Sequence, residues 1–209
     1  VGNAETTYGQ KLNLNSVIIQ TKNIAQRDIA AIQDTIACAG SDEAIGSHAI
    51  TVTVPESVSR NYLRTIKVNK GTHTIISKEV TITADSCKAQ YGNTFPEFTY
   101  QISGVSDKEN LGDISVVKRE DGNHVGTYTL DVQVANQNSN YKYNLESGTL
   151  TIKKRAITVA IDKKQKVKGQ KDPALTYTVE GDGLVEGDSL GIYLSRKSGE
   201  KVGLYDIYM

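Results

Sequence analysis

From Thr127 onward the chain alternates, with Tyr128, Leu130, Val132 and Val134 on one side and Thr127, Thr129, Asp131 and Gln133 on the other. A period of two puts successive side chains on opposite faces of an extended chain, so this segment predicts a half-buried strand. The same alternation appears as His48, Ile50, Val52 and Val54, and again as Tyr205, Ile207 and Met209. Val80, Ile82 and Ala84 predict an opening strand, matched by Ile157, Val159 and Ile161. Phe98, Tyr100 and Ile102 predict a second, matched by Leu175, Tyr177 and Val179. Ile114 to Lys118 and Gly148 to Lys153 supply more. The turn signals Glu120-Asp121-Gly122-Asn123, Asn136 to Asn140 and Glu146-Ser147-Gly148 separate them at the spacing of a sandwich or small barrel. Helix is expected only at Asn23 to Ala37 and as a helical turn after Gly104 or Gly181.

These strands recur because a phrase recurs: "EAIGSHAITV" from Glu43, "NHVGTYTLDV" from Asn123 and "EKVGLYDIYM" from Glu200. Gly126 and Gly203 stand 77 residues apart, and the same spacing carries Gly92 to Gly169, Pro96 to Pro173, Tyr100 to Tyr177 and Arg119 to Arg196 without a gap. Gly71-Thr72 and Gly148-Thr149 are also 77 apart, while Gly46 and Gly126 differ by 80. Solenoid units run about 20 to 50 residues and bury no core alone, so this longer period fits a small independent domain. Three repeats are expected: residues 1–77, lacking the opening strand; residues 78–154, complete; and residues 155–209, lacking the closing strands. The closing "GTLTIKKR" runs straight into "AITVAI", as "GTHTIISK" runs into "EVTIT". Without flexible linkers the array is expected to be a semi-rigid, monomeric rod.

Thr, Val, Ile and Tyr supply most of the runs, and they suit a pleated, half-buried surface, so the fold class is all-β. Tandem small β-sandwich modules of immunoglobulin-like type, or β-grasp-like modules with one short helix each, both fit the strand count. Laid out as strand, Tyr-Gly, "P-x-[FL]-T-Y", Gly, "G-x-x-[VI]-G-x-Y", Asn-Tyr and "G-T-L-T-I", the unit resembles the MBG-type repeat of bacterial surface proteins. The lines that carry the likeness are "YGNTFPEFTYQISG", "HVGTYTLDVQVANQNSNYKYNLESGTLTIKK" and "KDPALTYTVEGDGLVEGDSLGIYLSRKSGEKVGLYDI". The first repeat is the poorest match, and the third has Lys168-Gly169 where the others have Tyr-Gly. The resemblance implies export and display on the bacterial cell surface within an adhesin. "GTYTLDV" also resembles the immunoglobulin-like strand that carries a tyrosine corner, in which a Tyr bonds backbone across a connection.

Charge narrows the partners. The 209 residues hold 24 basic and 24 acidic side chains, so no global field draws nucleic acid. No stretch reaches the roughly 18 apolar residues of a membrane span. Cys38 and Cys87 fall in different repeats, and no bond is expected between them. The repeat also tests the three histidines: His48 stands where the others have Tyr128 and Tyr205, His73 where the middle has Leu150, and His124 where the third has Lys201. None keeps a histidine partner across repeats, which favours packing over catalysis. Glu180, Asp182, Glu186 and Asp188 cluster without the spacing of a calcium loop, only Glu109 matches in the middle repeat, and a solvated loop is expected. Lys163, Lys164, Lys166 and Lys168 read as a charged surface that shields an edge strand. Tyr143, Tyr193 and Tyr208 lie off the inward positions and are the candidate ligand contacts, through ring stacking or a protein partner. No catalytic, cofactor or metal residue is assigned. The leading expectation is a non-catalytic spacer of a surface adhesin; the alternative is direct binding of a mucin-type glycan or host protein.

Overall fold

The computed structural model describes residues 1–39, 44–62, 67–105 and 110–209. Glu43, Glu109 and residues 106–109 of the helical turn expected after Gly104 lie outside the described residues. In chain order the strands are β1 (Ala4–Thr7), β2 (Ala37–Cys38), β3 (Gly46–Thr51), β4 (Gly71–Ile76), β5 (Lys78–Ala84), β6 (Cys87–Gln90), β7 (Tyr100–Ser103) and β8 (Asp113–Lys118). They continue as β9 (Gly126–Ala135), β10 (Tyr141–Glu146), β11 (Gly148–Lys153), β12 (Ile157–Ile161), β13 (Tyr177–Gly181), β14 (Ser195–Arg196) and β15 (Ile207–Tyr208). The described residues also form two short helices, α1 (Gln26–Gln33) and α2 (Glu56–Ser59), and one 3-10 turn at Leu14–Ser16. The protein is all-β, and α1 falls inside the segment where a helix is expected.

Two compact units divide the chain: Val1–Ser86, Phe98–Arg119 and Thr129–Thr149 form the first, and Cys87–Glu97, Glu120–Tyr128 and Leu150–Met209 the second. In the first, one sheet has the order β1-β4-β3-β2. Strand β4 lies between two others. It runs parallel to β1, from Ala4↔His73 to Thr7↔Ile76, and antiparallel to β3, from Gly46↔Ile75 to Ile50↔Gly71. Val17, Ile36 and Ile50 are buried in its core, with Leu12, Leu14 and Val52 packed against them. A second sheet centres on β5, parallel to β10 and antiparallel to β7. Flanked on both sides, β5 buries Val80 and Ile82 completely. A β8/β9 pair follows, from Asp113↔Ala135 to Lys118↔Leu130, with Leu130 fully buried.

In the second unit β6 runs parallel to β11, from Cys87↔Leu150 to Gln90↔Lys153. This repeats the β1/β4 register, since His73 and Leu150 stand 77 residues apart, and both closing strands bury alternate residues: Gly71, His73 and Ile75, then Gly148, Leu150 and Ile152. The β12/β13 pair sets Val159 opposite Val179, 77 residues on from Ile82 opposite Ile102 in β5/β7. The β14/β15 pair slips by one residue. Arg196 faces Ile207, whereas the middle repeat sets Lys118, not Arg119, opposite Leu130. After Gly181 the expected helical turn is absent, and a bend forms instead in which the Asp188 N–H donates to Val185 O at 3.0 Å. Gly181, Gly183 and Gly187 there have φ of 85°, 70° and 90°, and a right-handed helix has no place for such residues.

Both closing strands begin on a glycine because backbone comes too near for a side chain. A Cβ at Gly148 would lie 2.5 Å from Ala84 O, and one at Gly71 would lie 2.2 Å from Gly2 O. Next to each glycine, a side chain from that neighbouring backbone accepts the following amide: Thr72 N donates to Asn3 Oδ1 and Thr149 N to Ser86 Oγ, each at 3.0 Å. Gly148→Ala must therefore push two backbones apart, and the expected cost is about 1–3 kcal/mol of unfolding free energy, read from urea denaturation. An unchanged denaturation midpoint would contradict this close approach.

Candidate functional site

The Tyr-Gly phrase forms one tight turn, repeated three times. Gln10 N donates to Thr7 O at 2.9 Å, Asn93 N to Gln90 O at 3.0 Å and Gln170 N to Val167 O at 3.0 Å. Gly9, Gly92 and Gly169 have φ of 79°, 81° and 85°, the left-handed value that the third residue of a type II turn requires and glycine adopts without strain. The residue before each glycine is where the repeats differ. Tyr8 N and Tyr91 N donate to Ile76 O and Lys153 O, each at 2.9 Å, and so extend the parallel ladders by one bond. The Tyr8 ring meets Tyr141 edge-on with centroids 5.5 Å apart.

A second recurring device sits on the strand after the repeated phrase. Tyr128 Oη donates to His124 O at 2.8 Å and Tyr205 Oη to Lys201 O at 2.9 Å, each four residues back, which is the bond that a tyrosine corner makes. His48 does the same work in the first repeat, donating from Nε2 to Ala44 O at 2.8 Å. A third device pairs Asp85 with Thr99 and Gln101 at 2.7 and 3.2 Å, and Asp162 with Thr176 and Thr178 at the corresponding places. These threonine hydroxyls hold the Asp162 carboxyl below its ordinary range.

At the junction of the middle and third repeats, Arg155 is the hub. Its guanidinium donates to Gly183 O at 2.8 Å, Asn93 Oδ1 at 3.0 Å, Tyr91 O at 3.4 Å and also to Asp182 O. Tyr91 and Asn93 belong to the Tyr-Gly turn of the middle repeat; Asp182 and Gly183 belong to the loop after β13. Gln90 Nε2 adds a bond to Asp182 Oδ2 at 3.2 Å, and Tyr91 Oη one to Asp188 Oδ1 at 3.3 Å. Desolvation, then the Asp188 carboxylate, raises the Tyr91 phenol above its usual pKa. Gly92 packs so closely on Val185 that a Cβ there would fall 2.2 Å from Val185 Cγ2.

The third repeat holds a cavity of about 370 Å³ whose lining includes Lys166, Asp172, Arg196 and Glu200. Those four close a ring of ion pairs. Lys166 Nζ is 2.6 Å from Asp172 Oδ1 and 2.9 Å from Glu200 Oε2. Arg196 reaches Asp172 through Nε at 2.9 Å and Glu200 through Nη2 at 2.8 Å, and lies over the Tyr205 ring at 5.2 Å. The equivalent Arg119 instead grips Asp131 through two bonds at 2.6 and 2.7 Å. Position 208 carries Tyr where the middle repeat has Asp131, so Arg196 turns to other carboxylates. In the first unit a cavity of about 800 Å³ is bordered by Ile24, Ile32, Val54, Tyr62 and Val68.

The three candidate ligand tyrosines do not share one kind of setting. Tyr143 is half-buried, and its hydroxyl donates to Leu111 O at 2.7 Å while accepting from Asn138 N at 3.1 Å. Tyr193 is 89% exposed and Tyr208, on β15, 51% exposed. The histidines have local partners. His73 is buried beside Thr6 Oγ1 at 2.7 Å and Cys38 Sγ at 3.6 Å, faces His48 across β3/β4, and His124 stacks on Tyr91 at 6.3 Å. No disulfide joins Cys38 and Cys87, and burial raises the Cys87 thiol's pKa. Of the acidic cluster, Asp182 and Asp188 face the joint. No group of three or more metal-ligating side chains converges among the described residues, and none of the helices in them is long and apolar enough to cross a membrane. Arg155 and the charge ring were not found by reading the sequence, because both depend on partners brought from distant loops.

A family model described as the MBG domain, YGX type, matches residues 80–151 and 157–209. No curated protein matches the chain.

Ion-pair chemistry gives the third repeat a pH signature. Hydrogen bonds from Arg196, then Lys166, hold the Asp172 carboxyl below its usual 3.8, and Lys166, then Arg196, hold Glu200 below 4.5. A carboxylate with a depressed folded pKa contributes stability that is complete above its unfolded pKa and disappears as pH falls through the folded one. The thermal midpoint should thus drop from about pH 5 downward. It should drop less steeply in Asp172→Asn/Glu200→Gln, where only other paired carboxylates such as Asp131 and Asp162 still respond. Equal slopes would show that the ring contributes nothing.

Proposed function

The chain belongs to the MBG domain family, YGX type, and we propose that it is a non-catalytic spacer segment of a bacterial cell-surface adhesin. MBG domains are repeat domains of surface adhesin-like proteins, a structural family rather than an enzymatic one. The observation that carries the spacer reading is the Arg155 junction, where one guanidinium ties the Tyr-Gly turn of one repeat to a loop of the next. A linker free to swivel would leave those carbonyls to water; a hub with four acceptors restricts the joint instead. In this reading residues 1–77, 78–154 and 155–209 are successive repeats, the particle is a monomeric rod outside the cell, and its task is to hold a distal binding part away from the surface.

Exposed Tyr193 and Tyr208 favour a second reading, in which the segment itself contacts a mucin-type glycan or a host surface protein. Tyr143 joins them only through its ring, since its hydroxyl is committed within the protein.

Small-angle scattering of the full chain tests the spacer. A compact chain of this length has a radius of gyration of about 17 Å. The spacer predicts a clearly larger value and a skewed distance distribution, and Arg155→Gln should broaden that distribution without changing the circular dichroism. A radius near about 17 Å would overturn the reading. A glycan array then separates the two readings, because binding lost in Tyr193→Ala or Tyr208→Ala would favour direct recognition.

A further inference from the structure

The first repeat gathers a thiol, an imidazole and a hydroxyl from three strands of one sheet. His73 comes from β4, Thr6 from β1 and Cys38 from β2, the last strand in the order β1-β4-β3-β2. The His73 side chain is buried and lies between the other two: Nε2 is 2.7 Å from Thr6 Oγ1, and Nδ1 is 3.6 Å from Cys38 Sγ. A second imidazole, His48 on β3, has its centroid 6.3 Å from that of His73 and its Nε2 on Ala44 O. Cys38 is half-buried and packs with one side on the core of Val17, Ile36 and Ile50. The middle repeat has Ala89 for Thr6 and Leu150 for His73, and sets Lys118 opposite Leu130 where the first sets Cys38 opposite Ile50. Thr6, His73 and Cys38 therefore enter as a set. A buried imidazole is costlier than the leucine at that place unless its nitrogens find partners, and here one of the two partners is a thiol.

We infer that Cys38 is a nucleophilic thiol, with His73 as its base and Thr6 orienting that base, and that it is a site of covalent modification by small disulfides. With Nε2–H donating to Thr6 Oγ1, the Nδ1 lone pair faces the thiol and takes its proton. The Cys38 sulfur then attacks one sulfur of a disulfide R–S–S–R. A Cys38–S–S–R bond forms, the old S–S bond breaks, and the departing thiolate takes the proton back from His73. Cys38 is oxidised to the mixed disulfide and one half of the reagent is reduced to a thiol, so the electrons balance between the two. Half-burial of Cys38 favours a small reagent over a bulky protein disulfide. The thiol reacts once and is not regenerated, so the repeat remains non-catalytic, and the inference stands apart from the spacer reading. Cys87 supplies the comparison within the same chain, since burial raises its pKa.

The probe is bis(2-hydroxyethyl) disulfide, small and neutral, added to the full 209-residue chain, with the adduct followed by intact mass. The Cys87→Ser protein reads Cys38 alone, and the Cys38→Ser protein reads Cys87 alone. At about pH 7 Cys38 should react about tenfold faster than Cys87 or better. In the Cys87→Ser background, His73→Leu, matching Leu150 of the middle repeat, should slow Cys38 about tenfold at about pH 7. Thr6→Ala, matching Ala89, should slow it in the same direction while leaving both the thiol and the imidazole in place. Both deficits should close by about pH 10, where a thiol ionises without a base. Equal rates for the two cysteines at about pH 7, a profile in either variant that matches the parent's, or a deficit that persists at about pH 10 would each overturn the assignment.

Discussion

A repeat of this protein is closed when its last strand lies between two others, and the rest of the architecture follows from that seat. β4 is held by a parallel ladder on one side and an antiparallel ladder on the other, so every one of its backbone groups has a direction in which to pair. The neighbours must come close for this, which is why Gly71 and Gly148 open the closing strands where a Cβ would strike a carbonyl. The Tyr-Gly turn caps the parallel ladder: Tyr8 N and Tyr91 N supply its final bond, and the following glycine turns the chain away.

The same turn is also where a neighbouring repeat is held. Tyr91 contributes its carbonyl to Arg155 and its hydroxyl to Asp188, while its amide completes the ladder of its own repeat. Closure and joining therefore share one residue, and loosening one is expected to loosen the other. In the third repeat Lys166, Asp172, Arg196 and Glu200 are joined by ion pairs at the surface rather than by a backbone ladder. Such exposed pairs are screened by solvent and contribute much less than a row of main-chain bonds with buried side chains behind it.

Reading the sequence revealed the repeat and most of its strands. Alternation at Tyr128 to Val134 marked β9, the segment Gly148 to Lys153 became β11, and the 77-residue period matched the segments of β5 and β7 to those of β12 and β13, whose shared register the structure adds. Strand direction was not legible, because a period of two looks the same in parallel and antiparallel ladders; the parallel β1/β4 and β6/β11 pairs are visible only in the fold. The expected helical turn after Gly181 failed because three left-handed glycines in that stretch are incompatible with helix. The tyrosine corner was legible and so was the placing of His48 at its position, but not that the imidazole makes the same bond, since a histidine and a tyrosine share little except a ring that can reach a carbonyl four residues back. Arg155 and Lys166 look like ordinary surface cations in one dimension. The partners of Arg155 lie 27 to 64 residues away, and the Glu200 that closes the ring on Lys166 lies 34 away, beyond what local pattern carries.

Backbone amide exchange at the three equivalent turn residues tests this account most directly. Tyr8 N and Tyr91 N each end a parallel ladder, while Lys168 N has no backbone acceptor among the described residues. Exchange followed residue by residue in the full chain should find Tyr8 and Tyr91 protected and Lys168 exchanging at close to the rate of an unstructured amide. Protection of Lys168 equal to that of Tyr91, or rapid exchange at Tyr8 and Tyr91, would contradict the claim that a seated closing strand is what completes each repeat.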